Sequence, residues 1–483
     1  MKHIVVLGAG VAGHTAAAFL KRYLKDKAKV TVISPAANYN WIPSNIWVGV
    51  GKMTESEVKI PLAPVYKKLN IEFLQGKAVE IFPEGSKEKN RPFVKYIRTD
   101  IASDEKISIE YDFLINATGP KLNFEATSGL GPHGGHSLSV CTPDHAIEAS
   151  RKLKEIIQEL KQGIRKTLVI GTGHGTCTCE GAAFEYVFNV DFELRQHNVR
   201  HLADVYYITN EAALGDFGVN GMNLNVGGYI TSSKVFAESL YLEREIKYIL
   251  GAHVSKVNPN SIEYETLDGT LHSLNFDFAM LLPPFKGHQL DSFDKNEENI
   301  TSKLFSPAGF MKVDADYTKT NTNEWSHLDW PKYYTSPFYE NIFAIGIAFA
   351  PPHQISIPRK TPNGTLIAPA PPRTGMPSAT MGRIVAKNIA NKINGINEQK
   401  SCSMAELGAA CVASAGSDLF NGSAATIVMS PIVPNFEKFP HTGRDEFETY
   451  GEIGLAGHWL KRILHTIFIY KAKANPFWWI IPE

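Results

Sequence analysis

Cysteine is scarce in this chain: five in 483 residues are too few for a disulfide scaffold, and the odd number leaves at least one thiol unpaired. Net charge is absent as well. Lys and Arg together number 49, as do Asp and Glu, so no global field draws nucleic acid, which is excluded as an expected partner. No uninterrupted apolar run of about 18 residues occurs, which argues against a membrane-spanning helix. The first strand begins at His3 or Ile4 with no leader ahead of it, so export by a signal peptide is not expected. No second Cys or His pair stands at ligand spacing beside Cys177 and Cys179, and no metal site is expected.

What the chain does have is a set of glycine turns. The apolar run Ile4-Val5-Val6-Leu7 leads into Gly8-Ala9-Gly10-Val11-Ala12-Gly13 and a helix from Ala16 to about Leu24. A strand, a tight glycine turn and a helix start gather backbone N–H groups around a pyrophosphate, which assigns Gly8, Gly10, Ala12 and Gly13 to a dinucleotide. Lys29 to Ser34 reads as the second parallel strand. It ends at the adenosine ribose, where Ser34 replaces the usual acidic residue and accepts hydrogen bonds more weakly. Tyr111 to Gly119 is a further strand closing on Ala117, Thr118 and Gly119. It resembles the strand that returns to the flavin in two-dinucleotide flavoproteins and sharpens the cofactor to FAD.

At about 150 residues per domain, this length divides into two or three units. Lys166 to Gly175 restarts a strand and glycine turn, Val205 to Thr209 follows, and Asn341 to Gly346 reads as a last strand bringing Gly346 back to the flavin. The expected fold class is α/β, with two tandem Rossmann-like dinucleotide-binding domains sharing one FAD, plus a C-terminal amphipathic membrane-anchoring region. The expected divisions are 1–150 for the first part of the FAD domain and 151–335 for a second Rossmann-like domain with a degenerate nucleotide site and redox cysteines. Residues 336–395 return to the FAD domain, and 396–483 form the C-terminal region. Between Ala350 and Pro377 the chain is rich in Pro, Gly and Thr without periodicity, which reads as an ordered loop over the active site.

From Ile453 to about Lys473, Leu455, Trp459, Leu460, Ile463, Leu464, Ile467 and Phe468 share one helical face, with Lys461, Arg462, Lys471 and Lys473 opposite. Phe477-Trp478-Trp479-Ile480-Ile481 follows, and its indoles suit a headgroup boundary. The expectation is a monotopic helix on a cell membrane, which brings the active site to a lipid-soluble quinone. A helix packed on the core or at a dimer interface is the plainer reading, and homo-oligomerisation stays open.

Cys141 precedes a helix that Asp144 is placed to cap, and Cys177 and Cys179 flank one residue where the second glycine turn feeds a helix. N–H groups at a helix start favour thiolate, which makes all three candidate nucleophiles. Cys402 and Cys411 read as structural.

Through Tyr39 to Asn45, Ser139 to Ala146, Cys179 to Glu185, Thr209 to Gly218, Leu282 to Gly287 and Arg373-Thr374-Gly375, the chain resembles the sulfide:quinone oxidoreductases. The resemblance implies oxidation of sulfide at cysteines beside FAD, with two electrons passed to a membrane quinone. It makes Cys141 the first cysteine, which in some members bonds covalently to the flavin, and Cys179 the second, which works beside the ring. His145 matches a histidine assisting proton transfer, and Asn45, Thr374 and Gly375 join the cofactor contacts. Two departures stand out: the family's third cysteine falls at Ala348, and a second histidine is replaced by Asp216.

The mechanism implied is attack of sulfide on an oxidised sulfur of Cys179, with Cys177 or Cys141 as partner, giving polysulfide or zero-valent sulfur. The chief rival is a type II NADH:quinone oxidoreductase. It needs a working second nucleotide site, where this chain places Thr176, Cys177 and Cys179. A soluble flavocytochrome-type sulfide dehydrogenase subunit leaves the tail unexplained, and a flavin-binding sensor or scaffold without turnover is the reading that Ala348 favours.

Overall fold

The computed structural model describes residues 1–178, 180–319, 324–373, 375–416 and 419–483. Ile4, Val5, Val6 and Leu7 are fully buried, as an aliphatic run without alternation demands when both faces of a parallel sheet are covered. Their strand, Lys2–Leu7, pairs in parallel with Ala28–Ser34 on one side and Phe113–Asn116 on the other. Glu72–Phe82 extends the sheet beyond the former, and Ile342–Ala344 closes it beyond the latter. The late strand thus returns beside Phe113–Asn116, as its sequence suggests. Helix Val11–Leu24 covers this sheet and packs along helix Met376–Ile393.

A second parallel sheet runs in the order Lys247–Ile249, Ala203–Ile208, Lys166–Thr172, Phe278–Leu282. The helix ahead of it spans Pro143–Lys161 and crosses the division drawn at 150. Its cap is Thr142 and not Asp144: the Thr142 hydroxyl accepts from the His145 N–H at 3.3 Å, with Pro143 in the first turn.

Residues 396–483 hold a sheet that the sequence reading missed. Ala409–Gly416, Gly422–Met429 and Tyr450–Gly454 pair antiparallel, and Asn225 opposite Tyr450 joins them to the hairpin Asn223–Val226 and Tyr229–Ser232. Helix Leu455–Ala472 lies across this sheet, and burial corrects the expected basic face. Lys461 and Lys471 are buried, paired with Glu185 at 2.8 Å and Glu483 at 2.6 Å. Phe468 stacks on Trp41 at 4.9 Å between ring centroids. The outward side carries Trp459, Leu460, Ile463 and Tyr470, each between 41% and 55% exposed. Among the described residues, no helix is long and apolar enough to cross a membrane.

Breaking a buried ion pair by removing one partner costs about 3–5 kcal/mol, because the survivor keeps an uncompensated charge. Lys461→Met is therefore expected to lower the thermal midpoint markedly, and Glu185→Gln added to it restores most of the loss. Equal losses in the single and double variants argue against this pairing as the cause.

Candidate active site

The first glycine turn is closed at two points and open at a third. A Cβ on Gly8, whose φ is +96°, would lie 2.2 Å from the Ala117 carbonyl oxygen, and one on Gly13 would lie 2.1 Å from that of Gly8. Strand and helix therefore meet backbone to backbone. At Gly10 nothing lies within 4 Å, and the helix that it starts has no side-chain cap. Gly375, at φ +63°, stands equally open at the uncapped start of helix Met376–Ile393, and Gly119 is open too. Two helix starts with unclaimed N–H groups and clear backbone fit the phosphates and ring edge of FAD.

The remaining cofactor candidates are placed as follows. Ser34 is buried at the end of its strand. Thr118 turns back on Asn116, its N–H and hydroxyl donating to Oδ1 at 3.2 and 2.8 Å. Gly346, at φ +64°, presses on Ala12, where an added Cβ would come within 2.9 Å of the alanine methyl. Asn45 is fully buried and exchanges amide hydrogen bonds with Asn40 at 3.0 and 3.1 Å. Its Nδ2 also reaches the Cys141 carbonyl at 3.4 Å, tying the cysteine segment to residues 39–45. Thr374 and Cys179 lie outside the described residues.

The second glycine turn is filled by the chain itself. Residues 366–370 run along it: Ala368 N donates to the Gly175 carbonyl at 2.8 Å and Ala370 N to that of Cys177 at 3.1 Å. The Asn210 amide donates to the same two carbonyls. Leu130 covers Gly173, where a Cβ would lie 2.5 Å from its methyl. Glu211, placed to hold a ribose, is buried and turned inward to accept from Phe217 N at 2.8 Å and the Thr209 hydroxyl at 2.9 Å. Burial, with Asp216 and Glu180 nearby, pushes its carboxyl well up. Asp216 itself takes the Ser356 hydroxyl at 2.8 Å and so fastens the loop 350–377 to this turn.

Among the cysteines the structure separates Cys177 from Cys141. The expected thiolate at Cys177 is a misreading. The helix starts only at Glu180, and the residue is fully buried, with its thiol donating to the Leu282 carbonyl at 3.1 Å. Burial pushes that thiol well up. Cys141 is half-buried, directly ahead of the Thr142 cap. Cys411, read as structural, has its Sγ 3.0 Å from where a Cβ on Gly181 would sit, in the first turn of helix Glu180–Gln196. Ala348 is buried, and behind it the Arg373 guanidinium donates to the Phe349 carbonyl at 2.7 Å, between the Phe310 and Phe349 rings. Burial without a carboxylate partner lowers that guanidinium to about 10.

His145 is buried and its Nε2 lies 3.1 Å from that of His133. Sequence reasoning passed over His133 and His14, and met Arg373 only as part of the segment Arg373-Thr374-Gly375. His14 is buried on the first helix and binds Tyr66 at 3.1 Å and the Ala472 carbonyl at 3.0 Å, so that it fastens the C-terminal helix to the cofactor helix. Nothing in the local spacing marks either histidine.

A family model for pyridine nucleotide-disulphide oxidoreductases matches residues 2–215. Over 473 residues, 98% of this chain and 91% of the relative, it is 30% identical to a sulfide-quinone reductase of Aquifex aeolicus. The chain belongs to the sulfide-quinone reductase family. A solved sulfide:quinone oxidoreductase from Aquifex aeolicus superposes with a TM-score of 0.76 at 28% identity, covering 98% of this chain and 92% of that one. A mitochondrial sulfide:quinone oxidoreductase of Dictyostelium discoideum is 24% identical over 64% of this chain and 61% of its own length. The NADH complex of NDH2 from Plasmodium falciparum shares the fold at a TM-score of 0.60 and 14% identity, covering 99% and 97%. Family membership makes this chain an FAD-dependent oxidoreductase.

Proposed function

We propose that this flavoprotein oxidises sulfide at Cys179 and passes two electrons to a membrane quinone. The observation that carries the reading is the second glycine turn, closed by residues 366–370 and Asn210. With no cradle for a nicotinamide nucleotide, reducing equivalents enter through sulfur. Bound FAD supplies a two-electron relay between sulfur and quinone.

The sulfur steps balance without a further oxidant. HS⁻ attacks the Cys179 sulfur of a bridge to Cys141; the S–S bond breaks, leaving a persulfide on Cys179 and a thiolate on Cys141. Closure of that thiolate on the terminal persulfide sulfur forms a trisulfide and releases one proton and two electrons. Quinone takes up two electrons and two protons, and further rounds lengthen the sulfur chain. Cys141 is the partner because burial holds the Cys177 thiol in its neutral form, donating to the Leu282 carbonyl. Cys177→Ala is therefore expected to leave the rate of flavin bleaching by sulfide within about twofold of the parent. A loss of activity at that position returns the bridge to Cys177.

A second partner is favoured by the contact of the Cys411 sulfur with Gly181, two residues along the chain from Cys179. Acid precipitation separates the two. Flavin released to the supernatant fits Cys141 as partner, whereas flavin retained in the pellet assigns Cys141 to a covalent cofactor bond and the bridge to Cys411.

The quinone reaches the site from the lipid side. The outward stripe of Trp459, Leu460, Ile463 and Tyr470, with Phe477 and Ile480 beyond it, suits the interface of a bilayer. Sulfide-dependent reduction of a soluble ubiquinone analogue, together with flotation of the protein on vesicles, tests the whole reading. Absence of quinone reduction contradicts it, and absence of flotation removes the membrane part.

A further inference from the structure

His145 is a buried imidazole with one nitrogen engaged and one idle. Only 6% of the residue is exposed, and Nδ1 is buried without a hydrogen-bond partner. The Nε2 atom lies 3.1 Å from Nε2 of His133, whose own side chain is exposed in the turn 131–136. A contact of this length between two imidazole nitrogens holds one shared proton, because two N–H groups would collide and two lone pairs would repel. The tautomer of each ring therefore dictates that of the other.

We propose that His133 is a positioning residue that acts through His145, completing a two-imidazole proton path between solvent and the sulfur site. When His145 donates through Nε2–H, its bare Nδ1 faces the interior as a base. A proton taken there releases the Nε2 proton to His133 Nε2, and His133 gives its Nδ1 proton to water. Both rings end neutral, with the shared proton now on His133. The reverse passage carries one proton inward and restores the starting tautomers. Sulfide oxidation releases a proton and quinone reduction consumes two, so the path has a use in each direction. This inference rests on the placing of His145 in the sulfide half-reaction.

The surroundings keep the inner ring neutral. Burial lowers the His145 pKa, and a charge on His133 lowers it further, while Asp144 on its own helix opposes both. Asp144 is in turn met by Lys59 at 3.4 Å from the strand Lys59–Pro61. The turn Phe124–Ala126 presents only the Phe124 ring, 5.7 Å away.

The test uses the full-length, FAD-loaded protein, mixed anaerobically with sulfide across the neutral pH range in H₂O and D₂O. His133→Ala is expected to slow flavin bleaching about tenfold, less than the roughly 10²–10⁴-fold of a group that transfers the proton directly, to change the pH profile, and to be restored by free imidazole in the buffer. His133→Asn keeps a polar group but cannot relay, and stays slow without imidazole. Rates within twofold of the parent for His133→Ala overturn the proposal, as does a slow variant that imidazole does not restore and whose pH profile is unchanged. Because His133 is exposed, neither substitution is expected to move the thermal midpoint. Failure of sulfide to bleach the parent protein at all contradicts the sulfide reading, and is thereby distinguished from failure of the histidine path.

Discussion

Gly13→Val is expected to give a folded but colourless protein. A Cβ at this position would lie 2.1 Å from the Gly8 carbonyl oxygen and 3.0 Å from the Ala117 methyl. Neither neighbour is free to give way. Gly8 N is bonded to the Ile33 carbonyl at 2.8 Å, and Ala117 N to that of Leu7 at the same distance. The helix must withdraw instead, carrying its first-turn N–H groups away from the pyrophosphate. Overpacking of this kind costs about 1–3 kcal/mol in the fold, and lost phosphate contacts add to it, so FAD affinity should fall by about 10²-fold or more. The visible absorption of the purified protein, beside its far-ultraviolet circular dichroism, reads both quantities at once. Retention of stoichiometric flavin would contradict the assignment of this turn to the pyrophosphate.

Cys179→Ser should stop sulfide from reducing the flavin while leaving the flavin bound. If sulfide enters through an S–S bond at this sulfur, a hydroxyl offers no bond to attack, and the bleaching rate should fall by about 10³-fold or more. Dithionite should still bleach the variant, which shows that the cofactor itself is intact. Unchanged bleaching by sulfide would move the entry point to Cys141 or Cys411. Set beside Cys177→Ala, this variant asks whether two cysteines separated by a single residue differ in role, as the full burial of Cys177 predicts.

Much of the cofactor half of the site was legible because its signals are local. Ile4 to Gly13 specifies a strand and a turn within ten residues, and the structure places both there, while the helix expected from Ala16 already begins at Val11, directly after Gly10. The helix beginning at Thr142 shows the limit of such signals, since Thr142 and Asp144 are both competent caps and only the fold decides between them. Ala409–Gly416 and Gly422–Met429 escaped notice because they are rich in Ala, Ser and Gly instead of β-branched residues. Helix Leu455–Ala472 is apolar on more than one side, so periodicity does not reveal which side faces inward. Lys461 and Lys471 were misplaced for that reason. Their partners, Glu185 and Glu483, are set by tertiary contact.

The closure of the second glycine turn was foreshadowed by Thr176 and the cysteines. The agent of closure, however, comes from residues 366–370, nearly two hundred positions away. Likewise, no spacing rule joins His133 to His145 or Cys411 to Gly181. Chemistry carried by contacts between distant segments becomes visible only in the folded chain.

The most direct test of the account is anaerobic stopped-flow mixing of the FAD-loaded protein with sulfide and, separately, with NADH, followed by a soluble quinone. Rapid bleaching of the flavin by sulfide alone, with recovery on addition of quinone, is the predicted result. Bleaching by NADH would contradict the account, because it requires a nucleotide where residues 366–370 now lie.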